Sequence, residues 1–138
     1  MRFIYWNQPV GTDELLKTEE WKAIKQVLKD YEHLATQYGI RPIVVFVPTK
    51  LEIYGSQYVK ESGEHFLEKI GTQLQFEDNS RDALSKLLRD TNLHFVDLLP
   101  EFRKMAKAGK LLYYPFDTHW NVTGRRLAAE VIARSFVQ

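Results

Sequence analysis

Five consecutive apolar residues, Ile43-Val44-Val45-Phe46-Val47, form the longest such run in the chain, and four of them are β-branched. Branching at Cβ favours extended backbone. A strand apolar on both faces belongs inside a sheet covered on both sides. Pro48, which has no N–H to donate, ends the run. A second run of this kind, His94-Phe95-Val96-Asp97-Leu98-Leu99, follows about fifty residues later. Any fold for the chain must place these two strands and cover them.

The segments around the strands carry helical spacing. Thr12 reads as an N-cap, and Asp13 to Tyr38 as one long helix with Ile24, Val27, Leu28, Tyr31, Leu34, Ala35 and Tyr38 on one stripe, stopped by Gly39. Phe66, Leu67, Ile70 and Leu74 predict a second helix, broken at Gln75 to Asn79. Ala83, Leu84, Leu87 and Leu88 predict a third, capped by Asn79 or Ser80 and stopped at Asn92. Pro100 opens a short helix to Lys107, closed by Gly109. The final helix, Val122 to Val137, is expected to bury Leu127, Ala128, Val131, Ile132 and Phe136, with Asn121 as its N-cap. Thr49 to Ser62 reads as a polar loop, Leu111 to Tyr114 as a short strand or extended loop, and Phe3 to Trp6 as a short strand before turn chemistry at Asn7 to Gly11.

Helix and strand in alternation predict an α/β protein, a three-layer α/β/α arrangement with a mostly parallel sheet. At 138 residues the chain reads as one α/β domain, 1–138. Two strong strands are few for such a sheet. The expected fold is therefore an incomplete one, the C-terminal portion of something larger. The abrupt apolar opening Met1-Arg2-Phe3-Ile4-Tyr5-Trp6 fits a chain cut from a longer one, and equally an ordinary edge strand.

Composition removes several function classes. There are no cysteines, so disulfides and thiolate metal sites are excluded. Net charge is +1, and the 19 basic residues are interleaved with 18 acidic ones, so no nucleic-acid footprint is expected. The longest apolar stretch has strand length, so neither a membrane segment nor a signal peptide is expected in this chain.

Chemistry is concentrated near the end, in Tyr113-Tyr114-Pro115-Phe116-Asp117-Thr118-His119-Trp120-Asn121. A carboxylate two residues before an imidazole, just ahead of a helix, suits an acyl-transfer base: the Asp orients the ring and the His takes a proton from a nucleophile. Trp120 would wall the pair off from water. In open parallel sheets, sites gather beyond the C-terminal ends of the strands. The loops after Val47 and Leu98 would share that rim, and Asp117 and His119 would join it if Leu111 to Tyr114 were a parallel strand. The bland reading makes Asp117 and Thr118 loop caps and His119 a packed surface residue. Lys50 and Tyr54, on the same rim, read as contacts to a carbohydrate or acyl acceptor, or else as a solvated Lys and a packed Tyr. A metal would have to use Asp117, His119 and His94. His33 and His65 lack ligand partners on their predicted helices, and no metal is expected.

The terminal block resembles that of the SGNH (GDSL-like) hydrolases, within them the alginate O-acetyltransferase-like group. It runs Asp117-Thr118-His119-Trp120-Asn121-Val122-Thr123-Gly124, followed by Leu127-Ala128-Ala129. Phe46-Val47-Pro48-Thr49-Lys50 with Tyr54, and Val96-Asp97-Leu98-Leu99, are similar to further segments of that group. The likeness spans about Trp21 to Phe136. It implies an SGNH/flavodoxin-like fold, His119 as general base, Asp117 as its orienter, and Lys50, Tyr54, Trp120 and Asn121 as substrate-binding residues. The family's Gly-Asp-Ser block has no counterpart here. Ser56 follows a Gly but has no strand leading into it, and Ser62, Ser80, Ser85 and Ser135 look like caps or helix-surface residues.

The implied function is an SGNH-type esterase or O-acyltransferase, acting on a small-molecule or polysaccharide ester. This chain would supply the Asp-His part of a Ser-His-Asp triad and be nearly inactive alone. No cofactor is implied. A bacterial periplasmic or cell-envelope setting is suggested by the resemblance. An open sheet edge would make homodimer pairing an option. The competing readings are a catalytically inactive SGNH-like domain that binds carbohydrate, and a small α/β interaction unit.

Overall fold

The structure is a computed structural model and describes residues 10–58 and 64–137. The strand expected at Phe3 to Trp6 and residue Ser62 lie outside the described residues. The elements in order are α1 (Thr12–Leu15), α2 (Glu19–Gln37), β1 (Ile43–Phe46), α3 (Lys50–Tyr58), α4 (Glu64–Arg89), β2 (His94–Asp97), α5 (Leu99–Lys107) and α6 (Val122–Ser135). β1 and β2 pair in a two-stranded sheet. His94 N–H donates to Pro42 O (3.4 Å) and Leu98 N–H to Phe46 O (3.3 Å). Both strands advance together between those two bonds, so the pairing is parallel. This is an α/β fold with a small, incomplete parallel sheet. Among the described residues no helix is long and apolar enough to cross a membrane.

Contacts divide the chain into two units, one formed by the described residues up to Val44 with Glu64–Phe95, the other running from Val45 and from Val96 onward. The first unit centres on Leu28, Leu88 and Leu93, with Val44, Leu84, Leu87 and Phe95 packed around them. Burying each of those three leucines stabilises by about 1.5–3 kcal/mol. Short α1 is tied to α4, since Asn79 Nδ2 donates to Val10 O (2.8 Å) and Lys86 Nζ meets Asp13 Oδ1 at 2.8 Å.

Four readings are corrected here. The long helix from Asp13 is two helices, because Thr18 adopts an extended conformation and its hydroxyl accepts from Trp21 N–H (3.4 Å), starting α2 afresh. Of the stripe on α2, Leu28 and Ala35 are buried, while Val27, Tyr31, Leu34 and Tyr38 are exposed. The apolar face is wider than the surface that covers it among the described residues. The break at Gln75 to Asn79 is absent, and α4 runs unbroken through it. No proline interrupts that stretch, and its polar groups are used along the helix: Ser80 Oγ donates to Phe76 O (2.8 Å) and Gln73 Nε2 to Glu77 Oε1 (3.0 Å). β1 is half-buried along its length rather than fully covered.

The second unit carries the motif residues. Its core is Pro48, Leu98, Leu99, Phe102 and Leu112, all fully buried, with Ile53, Tyr54, Tyr113, Leu127 and Ala128 beside them. The expected loop from Thr49 begins instead with helix α3. Its start is a reciprocal cap, with Thr49 N–H donating to Glu52 Oε2 (2.6 Å) and Glu52 N–H to Thr49 Oγ1 (3.1 Å). Leu99 opens α5 rather than ending the strand, because Asp97 Oδ1 accepts its N–H (2.9 Å). Gly109, at φ +78°, ends α5 in the left-handed conformation that favours glycine. Phe136, just past α6, is exposed, and Val131 and Ile132 within it are only half-buried.

Candidate active site

The site is a turn mounted on packed feet. Tyr113 and Trp120 form an antiparallel bridge, so Leu111 to Tyr114 is not a third parallel strand but one arm of a tight hairpin. Both arms are anchored. Leu112 N–H donates to the Tyr54 hydroxyl (2.8 Å), Leu112 O accepts from Asn121 N–H (2.9 Å), and the buried Tyr113 hydroxyl donates to Pro48 O. Burial pushes the Tyr113 phenol up to about 12. Trp120 stacks obliquely on Phe102, ring centres 5.3 Å apart.

Asn121 is the N-cap of α6, as expected. Its Oδ1 accepts from Gly124 N–H (3.0 Å) while its Nδ2 donates to Leu111 O (2.8 Å). One amide thus joins the helix start to the opposite arm. Gly124 packs against that arm so closely that a Cβ there would lie 2.2 Å from Leu112 O. Only a glycine lets α6 begin this near the hairpin.

The tip of the turn, Tyr114 to His119, is exposed throughout. It is closed by Tyr114 N–H to His119 O (3.1 Å) and Asp117 N–H to Tyr114 O (3.4 Å). Asp117 Oδ1 accepts the backbone N–H of His119 (2.7 Å) and also meets the ring nitrogen Nδ1 of the same residue. The backbone bond first, then the ring bond, hold the Asp117 carboxyl below the usual carboxylate range. Asp117 is therefore ionised at neutral pH and can only accept, so Nδ1 must be the donor in this contact.

The expected water-excluding wall is not there. Trp120 is turned onto Phe102, and the side chains of His119 and Asp117 are 82% and 49% exposed. Lys50, at the first position of α3, is also placed differently from a free rim residue. Its ammonium donates to the carbonyls of Tyr114 (2.8 Å), Pro115 (2.7 Å) and Asp117 (3.3 Å). Tyr54 is buried, and its hydroxyl lies between Leu112 N–H and Lys110 O (3.4 Å). A surface cleft of about 670 Å³ adjoins the turn, lined by Lys50, Tyr54, Lys107, Lys110, Pro115 and Phe116 among others; neither Asp117 nor His119 lines it.

Ser56 falls within α3 rather than in a loop. The hydroxyls of Ser80 and Ser135 donate to carbonyls of their own helices, Phe76 O (2.8 Å) and Ile132 O (2.7 Å). Among the described residues, no three His, Asp or Glu side chains gather as a metal site would require. Sequence reasoning missed the role of Thr49 and Glu52 in aiming Lys50. The signal was present as Thr49-Lys50-Leu51-Glu52, the spacing of a capping box.

The small parallel sheet and its helices fit the α/β fold of an SGNH hydrolase-like domain. The family model described as the SGNH hydrolase-like domain of acetyltransferase AlgX matches residues 8–138, and the chain belongs to that family. No curated protein and no solved structure gives a match.

Proposed function

We propose that this domain supplies the histidine and aspartate of a Ser-His-Asp triad for acyl-ester chemistry, hydrolysis or O-acyl transfer to a carbohydrate hydroxyl, with the serine contributed from outside the described residues. The observation that carries the reading is the double use of Asp117 Oδ1, on the backbone and the ring of His119. It fixes the tautomer that leaves Nε2 available to a nucleophile.

In the first half-reaction the serine Oγ attacks the acyl carbonyl, and its proton passes to His119 Nε2. The tetrahedral adduct collapses, the C–O bond to the leaving alcohol breaks, and Nε2 returns the proton to that alcohol. In the second half, water or a sugar hydroxyl attacks the acyl-serine, giving its proton to Nε2, which then passes it to the departing serine oxygen. Asp117 stays ionised throughout and stabilises the imidazolium. Exposure of the ring fits this division of labour, because a half-site awaiting its serine must present Nε2 outward. A periplasmic or envelope setting, on a polysaccharide ester, fits the same chemistry.

The test uses the full-length protein and 4-nitrophenyl acetate. His119→Ala should lower kcat by roughly 10⁶-fold, and Asp117→Asn by roughly 10⁴-fold. Turnover within a few-fold of wild type in both variants would end the assignment. A second reading, a catalytically silent carbohydrate-binding domain, is favoured by the cleft, which takes in Lys50, Tyr54 and Phe116 but not the Asp-His pair. It would be supported by oligosaccharide binding in a full-length protein that shows no ester turnover before any substitution.

A further inference from the structure

We propose that Lys50 is a positioning residue for the Asp117–His119 pair, acting through the turn rather than by touching substrate. The proposal rests on the reading of that pair as catalytic.

An ammonium has three donors and no acceptor. Here they converge on three carbonyl oxygens of one exposed turn: Tyr114 (2.8 Å), Pro115 (2.7 Å) and Asp117 (3.3 Å). Carbonyl dipoles aimed at one point repel each other unless a cation sits there. The Asp117 carbonyl belongs to the peptide that leads from the carboxylate toward the imidazole, so fixing it fixes the relation between the two side chains. Apolar packing does not do this, since every residue from Tyr114 to His119 is exposed.

The ammonium is itself aimed from a fixed base. Lys50 follows the Thr49–Glu52 reciprocal cap, and Pro48, just before it, is fully buried with its carbonyl held by the Tyr113 hydroxyl. The stem of Lys50 therefore starts from a rigid point, and the turn is clamped to α3. With all three donors engaged on the turn, contact with a substrate would require breaking the clamp.

The experiment compares wild type, Lys50→Met, Asp117→Asn and Lys22→Met in the full-length protein. Methionine keeps the length of the stem and removes every donor. Lys22, an exposed lysine of α2 outside the cleft and paired with Glu19, serves as the control. Hydrogen–deuterium exchange of peptides spanning 113–121 is measured without substrate, with peptides of α5 as internal reference. Turnover is followed with 4-nitrophenyl acetate. Lys50→Met should speed exchange in the turn by roughly tenfold with α5 unchanged, a local opening. It should lower kcat at least tenfold while KM holds, and Lys22→Met should do neither. Unchanged exchange in Lys50→Met, or a rise in KM alone, overturns the positioning role while leaving the Asp-His reading intact if Asp117→Asn is inactive. Full turnover in Asp117→Asn defeats that reading instead, and this proposal with it.

Discussion

The feet and the tip of the 111–124 segment are held by opposite means. At the feet, Leu112 and Tyr113 are buried, Trp120 lies on Phe102, and Gly124 touches the backbone of Leu112. At the tip, Tyr114 to His119 are exposed, and their shape comes from hydrogen bonds to backbone carbonyls, a carboxylate and the Lys50 ammonium. The difference teaches that stability and, in the proposed function, reactivity are carried by separate residues only a few positions apart. Damage to the feet should unfold the unit, whereas damage to the tip should leave a folded protein with its imidazole misdirected.

Substitutions can break that contrast. Phe102→Ala removes a fully buried ring from beneath Trp120 and should cost about 3–5 kcal/mol in chemical denaturation. Phe116→Ala, on the fully exposed tip, should change stability by less than about 0.5 kcal/mol. Equal losses in the two variants would erase the distinction.

Gly124→Ala falls between them. Helix propensity favours alanine by about 1 kcal/mol. The added Cβ, however, would sit 2.2 Å from Leu112 O, a backbone atom already bonded to Asn121 N–H. The clash should win, with a net loss of about 1–3 kcal/mol by thermal or denaturant unfolding. A stabilised variant would mean that the helix start has room the structure does not show.

Much of this was legible in the sequence, for identifiable reasons. β1 stood out because its apolar run is continuous, β2 because Phe95 and Val96 with Leu98 and Leu99 form an apolar cluster of strand length, and Asn121 because Asn three residues before Gly124 ahead of an apolar period is a cap with few alternatives. The Asp-x-His spacing was readable because the two side chains are close enough in sequence to meet within one turn. Helix α3 was hidden because Gly55 and scattered polar residues blur its period, although Thr49 and Glu52 announced its start. The break expected at Gln75 to Asn79 does not occur, because polar groups there are satisfied without leaving the helix: Glu77 accepts from Gln73, and Asn79 donates to Val10 O. The orientation of Trp120 and the reach of Lys50 depend on residues about twenty to seventy positions away, Phe102 and the turn, and no local pattern encodes such contacts.

The claim beneath all of this is that Asp117 fixes the tautomer of His119. Selective ¹⁵N-histidine labelling reads it directly, from the imidazole nitrogens of the full-length protein at a pH where the ring is neutral. The expected spectrum has the His119 proton on Nδ1, lost as a fixed state in Asp117→Asn. A ring protonated on Nε2, or one averaging freely between the two nitrogens with Asp117 intact, would contradict it.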